Sequence, residues 1–315
     1  MRSRIVAILL SVLLFFSTLY LIGFPEKEVP AVEITETKPP ENVETVVCSF
    51  SDISYGPDKK QRLNLTLPVD NREETGLVLY IHGGGWRGGN KDRTNVILSS
   101  LSTSKDYAVA SMNYRLTKQD NIDIYDMIND ITAAISHIKA FAQGYSVNIS
   151  RVAIMGHSAG GHLALLYSYR YKDVSPVDIA GVIALASPAD LTLDAFYNNS
   201  ALGDENYVCS LVSRATGEKF TPDTRDDFSE ILLELSPISY VSSDCAPTVI
   251  CHGKKDSIVP VEDSIALAEK LDEYSVENDL VICENSGHKF DKDEEALKTI
   301  STLLQERLAS WFRFT

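Results

Sequence analysis

The chain has 315 residues, 44% hydrophobic and 23% charged, with a formal net charge of −15. That is an ordinary globular composition with enough apolar material for a core. The acidic balance argues against nucleic acid or an anionic membrane surface as a partner.

In chain order, Arg2 and Arg4 precede Ile5 to Phe24, twenty residues without a charge. That run is long enough to cross a bilayer as a helix. Residues 1–24 therefore read as an uncleaved signal anchor in preference to a cleaved signal peptide, whose apolar core is usually shorter. The basic N-terminal flank places the rest of the chain outside, so the chain is expected to be exported, either membrane-anchored or secreted. Residues 25–45 hold six Glu against two Lys, four prolines and no aromatic residue. They read as an acidic, extended tether.

Residues 46–315 read as one domain. Ser49 to Tyr55 and Gln61 to Leu67 look like two opening strands around the turn Gly56-Pro57-Asp58. Apolar strand runs then alternate with helical patterns. The strands are Leu77–Ile81, Tyr107–Met112, Val152–Met155, Ile179–Leu185, Thr248–Cys251 and Leu280–Cys283. The helices are Thr94–Ser104, Ile124–Ala142, Gly160–Tyr171, Val261–Tyr274 and Lys292–Phe312. In the second helix Met127, Ile131, Ala134, Ile135 and Ile138 mark one buried face. This alternation predicts an α/β fold, a mostly parallel, doubly wound sheet of about eight strands. Residues 188–236 break the rhythm. They read as a small cap-like insertion or as a surface excursion with a short helix at Asp227–Leu235.

The chemistry concentrates at strand ends. Gly156-His157-Ser158-Ala159-Gly160 lies between a strand run and a helix, the layout of a nucleophile elbow. Glycines flank such a serine because the tight turn leaves no room for side chains. His82-Gly83-Gly84-Gly85-Trp86 ends an earlier strand, His252-Gly253-Lys254-Lys255-Asp256 a later one, and Asn285-Ser286-Gly287-His288 the last. Serine, acid, histidine is the chain order that fits a Ser158–Asp256–His288 triad. Amides of Ala159, Gly84 and Gly85, favoured over Gly83, are the expected oxyanion donors. Trp86 and His157 are candidate substrate contacts. A packed loop anchor is an equal reading of Trp86, and His157 is expected to point away from the triad.

Asp190, Asp244 and Asp263 are rival acids, but Asp256 directly follows a strand. His162 reads as a structural hydrogen-bonder, and His82 and His252 as loop braces. Ser158 could alternatively be only a helix cap. The glycine runs match neither GxxxxGK[ST] nor GxGxxG, and no HExxH or carboxylate cluster suggests a metal, so no cofactor is expected. Five cysteines give no zinc spacing and pick out no disulfide, and Cys251 and Cys283 read as small core residues.

With these residues in hand, the chain resembles the α/β-hydrolase superfamily. Within it, His82–Trp86, Gly156–Leu163, Leu235-Ser236-Pro237-Ile238 and His252–Pro260 are similar to the HGGGW/GHSAGG esterase/lipase group. The likeness points to the bacterial feruloyl and acetyl-xylan esterase type and covers Ser51 to the C-terminus. It implies an α/β-hydrolase fold and a serine carboxylic-ester hydrolase. The substrates implied are short acyl esters, small molecules or acetyl or feruloyl groups on polysaccharide. Kynurenine formamidases share a related pattern, so an amidase or peptidase stays open, as does a catalytically dead binding module. Where the family often reads GHGF, this chain has Gly287-His288-Lys289-Phe290, which sets a charge beside the expected base.

Overall fold

The computed structural model describes residues 44–314, except 94–95, 120–121, 193–208, 211–212, 214–215, 225–228 and 291. The anchor expected at 1–24 and the tether up to residue 43 lie outside the described residues. So does much of the insertion expected at 188–236.

Eight strands form one sheet: β1 (Val46–Ser54), β2 (Arg62–Val69), β3 (Thr75–Ile81), β4 (Ala108–Met112), β5 (Ile149–His157), β6 (Asp178–Leu185), β7 (Thr248–Gly253) and β8 (Asn278–Cys283). Their order is β1-β2-β4-β3-β5-β6-β7-β8. β1 and β2 are antiparallel to each other, and β2 is antiparallel to β4. Every other pairing is parallel. The strands expected from the sequence are all present, and the fold is the mostly parallel sheet anticipated.

The helices are α1 (Val96–Leu101), α2 (Ile124–Gln143), α3 (Ala159–Arg170), α4 (Ser229–Leu235), α5 (Val261–Glu273) and α6 (Glu294–Trp311). α1 stops short of the expected Ser104. Ser102 Oγ donates to Leu98 O at 2.9 Å, a local bond of the kind that lets a serine end a helix. α2 starts on a capping box, with the Asp126 amide donating to Asp123 Oδ1 at 3.0 Å.

The sheet is covered on both faces. All seven residues of β3 are buried, as a central parallel strand requires. Its alternate side chains feed two cores. Leu77, Leu79 and Ile81 join Ile131, Ile135 and Leu163 from α2 and α3 on one face. Val78 and Tyr80 join Leu98, Ile300 and Leu304 from α1 and α6 on the other. The described end of the insertion also belongs to the first core, through Cys209, Phe220, Leu232 and Leu235. No disulfide joins any of the five cysteines, and Cys251 and Cys283 are buried within their strands as expected.

This topology sets up a site. Because β3, β5, β6, β7 and β8 are parallel neighbours, the loops leaving their C-terminal ends emerge along one edge. Ile81 pairs with Gly156 and Leu185 with His157, so the glycine loop after β3 leaves beside the turn after β5. Gly253 pairs with Cys283, which brings the last two loops together.

Candidate active site

Ser158 stands between β5 and α3 with φ 55° and ψ −126°. A non-glycine residue in that region is strained, at a cost of about 1–3 kcal/mol. The turn is tight on both sides. A Cβ at Gly156 would lie 2.2 Å from Gly160 O, and one at Gly160 would lie 2.1 Å from Ile81 O. Only hydrogen fits at either position, which is the physical content of the GxSxG pattern. The Ser158 amide is tied to Leu185 O at 2.8 Å. Its side chain makes no capping bond to α3, so the reading of Ser158 as only a helix cap is overturned.

Asp256 and His288 meet. His288 Nδ1 lies 2.8 Å from Asp256 Oδ2. Asp256 Oδ1 accepts the amides of Ile258 at 2.7 Å and Val259 at 3.0 Å. Burial works to raise the Asp256 carboxyl, but the hydrogen bonds from His252, His288 and the Ile258 amide outweigh it and hold it well below the usual carboxylate range. The rival acids lie elsewhere. Asp244 pairs with Lys172, and Asp190 binds the Thr192 hydroxyl and amide. Asp263 accepts the Ala189 and Asp190 amides at 3.0 and 2.8 Å.

The loop after β3 turns sharply. Gly84, Gly85 and Trp86 carry φ of 133°, 56° and 55° in succession. The Arg87 and Gly88 amides both close onto Gly84 O. Among the described residues, the Gly84 and Gly85 amides bond to no backbone carbonyl. The preference for those two glycines leaves out the one lying against the serine: a Cβ on Gly83 would sit 3.0 Å from Ser158 Cβ. Ala159 is the first residue of α3, so its amide is one of the helix's unclaimed N-terminal donors.

Of the two readings of Trp86 the packed loop anchor fits, and the expectation for His157 gives way. Trp86 is 2% exposed and packs edge-on against His162, ring centroids 5.2 Å apart. It anchors the loop from within the core and does not wall a substrate pocket. His157 does not turn away from the triad. Its Nε2 lies 2.7 Å from His288 O, and the two rings are 4.9 Å apart. Because that carbonyl can only accept, His157 Nε2 carries the hydrogen. The ring braces the His288 loop with the nitrogen it would otherwise offer to substrate.

The other histidines support loops. His162 Nε2 donates to Leu235 O at 2.8 Å, joining α3 to the end of the insertion. His82 stacks on Tyr114 at 4.5 Å. Burial pushes the imidazoles of His82, His157 and His162 down to about 4, so all three are neutral near pH 7. His252 was expected to brace a loop. It does so through Val259 O at 3.1 Å, but the same nitrogen lies 3.1 Å from Asp256 Oδ2. A histidine four residues before the acid was the signal in the sequence. Among the described residues no group of His, Cys, Asp and Glu could hold a metal ion.

Comparison with known proteins gives the family and the fold. The BD-FAE family profile matches residues 63–271, about two-thirds of the chain. Over 247 residues the chain is 25% identical to the isoprenylcysteine alpha-carbonyl methylesterase ICME of Arabidopsis thaliana, covering 75% of this chain and 55% of that protein. Over 229 residues it is 28% identical to the probable carboxylic ester hydrolase LipM of Mycobacterium tuberculosis, covering 71% of this chain and 52% of that one. The chain thus spans about half the length of the curated relatives it matches. A truncated carbohydrate esterase from gut microbiota superposes with a TM-score of 0.66 at 21% identity, covering 82% of this chain and 96% of that one. At that identity the likeness is one of fold.

Proposed function

The chain belongs to the BD-FAE family, and we propose that it hydrolyses carboxylic esters through a serine nucleophile. The observation that carries the reading is the 2.8 Å bond between His288 and Asp256, on neighbouring loops beside the strained Ser158 turn. Ser158 Oγ adds to the ester carbonyl carbon while His288 Nε2 takes the hydroxyl proton. Asp256 holds the imidazole in the tautomer with Nδ1 protonated and stabilises the imidazolium that forms. The carbonyl oxygen becomes an oxyanion, received by the Ala159 amide and the amides of the Gly83–Gly85 loop. The carbon–oxygen bond to the alcohol then breaks, and His288 returns the proton to the departing alkoxide. Water repeats the sequence on the acyl-enzyme and frees Ser158.

The substrates under this reading are short acyl esters, including acetyl or feruloyl groups on polysaccharide. Support comes from the motifs of the glycine loop and elbow and from relatives named as ester hydrolases. The apolar run at residues 5–24 adds an exported, anchored or secreted, setting in which polysaccharide is within reach. The test is turnover of p-nitrophenyl esters from acetate to decanoate, beside Ser158→Ala. Turnover should favour acetate or butyrate, and the variant should lose about three to six orders of magnitude in kcat. Folded protein without turnover on any ester, or a fully active Ser158→Ala, would sink the reading.

A further inference from the structure

One oxygen of Asp256 serves two imidazoles. Oδ2 lies 2.8 Å from His288 Nδ1 and 3.1 Å from His252 Nε2. The His252 side chain is wholly closed to solvent. Its Nε2 faces a second oxygen, Val259 O, at 3.1 Å. A carboxylate and a carbonyl on one nitrogen require that nitrogen to carry a hydrogen, so it donates. The opposite nitrogen, Nδ1, lies 2.6 Å from Ser264 Oγ. That hydroxyl is buried in the first turns of α5 and can rotate its hydrogen toward the ring. A buried chain thus runs Ser264, His252, Asp256, His288.

We infer that His252 is a positioning residue for the proposed hydrolysis: it aims Asp256 Oδ2 at His288 and takes part of the carboxylate's charge. The inference rests on the Ser158–Asp256–His288 reading. Two backbone amides pin Oδ1, and His252 pins Oδ2, so the carboxylate plane is set independently of His288. A carboxylate with an extra donor also stabilises an imidazolium less than one whose charge acts on a single partner. His252 therefore holds the partner of His288 in line while sharing that carboxylate oxygen between two rings. The groups facing His288 are Asp256 from the β7 loop, the His157 ring at 4.9 Å from the elbow, and Lys289 in its own loop. Those facing His252 are Asp256, the Val259 carbonyl and Ser264.

The two roles have different signatures, read in the full chain from kcat and KM of ester hydrolysis across about pH 5 to 9. His252→Leu removes the donor. It should lower kcat about 10- to 100-fold, as loss of a hydrogen bond to a charged group does. KM should stay within about twofold, since His252 is buried behind Asp256. The acid limb of the kcat/KM profile should move up by roughly half to one pH unit, because Asp256 then acts on His288 alone. His252→Gln keeps an amide donor at similar reach and should restore the wild-type limb. Ser264→Ala weakens His252 as a donor without touching Asp256, and should shift the limb the same way by less. An unmoved limb in His252→Leu, or equal shifts in the Leu and Gln variants, would reduce His252 to packing and overturn the inference. Should His252→Leu not fold, an unmoved limb and unchanged kcat in Ser264→Ala overturn it instead. Ser158→Ala separates the failures. Activity surviving in that variant removes the triad and this inference together, whereas its loss beside an unmoved His252→Leu profile removes only the inference.

Discussion

Asp256 receives four hydrogen bonds, two on each oxygen, and that determines what its replacement costs. Asparagine has the same shape and keeps one oxygen, which the Ile258 and Val259 amides would claim. Its NH2 would then face His252 and His288, and a donor there forces His288 to present a bare Nδ1 and the wrong tautomer to Ser158. Asp256→Asn should lower kcat by about 10⁴ with folding intact. A loss under tenfold, in protein with native far-UV and near-UV spectra, would shift the acid's role to another residue. The three residues proposed as a triad are legible in the sequence because each follows an apolar strand run in a short glycine-marked loop. His157 and His252 were harder. Both end strands, and nothing local says which way either ring turns. His157 finds its partner 131 residues away in the His288 loop. The burial of Trp86 escapes the sequence for the same reason: an aromatic after HGGG fits a pocket wall or a core anchor equally, and only His162 on the neighbouring helix decides.

At the scale of elements, the strands were readable because a parallel strand covered on both faces must be apolar throughout, as β3 is. The insertion was not readable in that way. Among the described residues, its buried hydrophobic ones, Ala189, Leu191, Cys209, Phe220, Leu232 and Leu235, are spread too widely to form a period. One tie between elements is polar and also invisible to hydropathy. Asp130 of α2 is wholly buried, and its carboxylate takes the guanidinium of Arg115 at 2.8 Å and the Gln61 amide at 2.8 Å. It also accepts the Arg115 backbone amide at 2.8 Å. These bonds fasten α2 to the two segments that meet at one end of the β2–β4 pairing. Asp130→Ala leaves the Gln61 NH2 and one side of Arg115 without a partner. Asp126 still holds the other side of the guanidinium at 2.9 Å. The cost should fall at the lower end for a broken buried pair, about 3 kcal/mol. The urea midpoint is the measurement, with kcat below the transition unchanged. A midpoint within error of wild type would mean that the helix is held by its apolar face alone.

For the whole molecule, the buried ionisable groups make stability depend on pH in a direction that can be worked out. His82, His157 and His162 are pushed down to about 4 by burial, while an unfolded imidazole titrates near 6.5. Between these values the unfolded chain holds three protons that the folded chain does not. Their contribution is fully present above about pH 6.5 and is lost as pH falls toward 4. Asp263 works in the opposite sense. Burial outweighs its two amide bonds and pushes the carboxyl up to about 8, so the folded chain keeps a proton the unfolded chain sheds near 3.9. That lowers stability as pH rises from about 4 to 8. On the acid side the balance is two protons, a slope of about 2.7 kcal/mol per pH unit. On the alkaline side Asp263 alone remains, with about 1.4 kcal/mol per unit and the opposite sign. Stability should therefore peak near pH 6.5, fall steeply below it and decline gently to about pH 8. The acid limb spans about 2.5 pH units and removes about 7 kcal/mol, enough to unfold a domain at the lower end of the typical total of about 5–15 kcal/mol. Urea midpoints measured across this range check the shape. His162→Gln, which keeps a donor for Leu235 O, should shallow the acid limb by about one proton's worth, and Asp263→Asn should flatten the alkaline side. An acid limb equally steep in His162→Gln would show that His162 already carries its proton in the fold, and its bond to Leu235 O would then join α3 to the insertion as a charged contact.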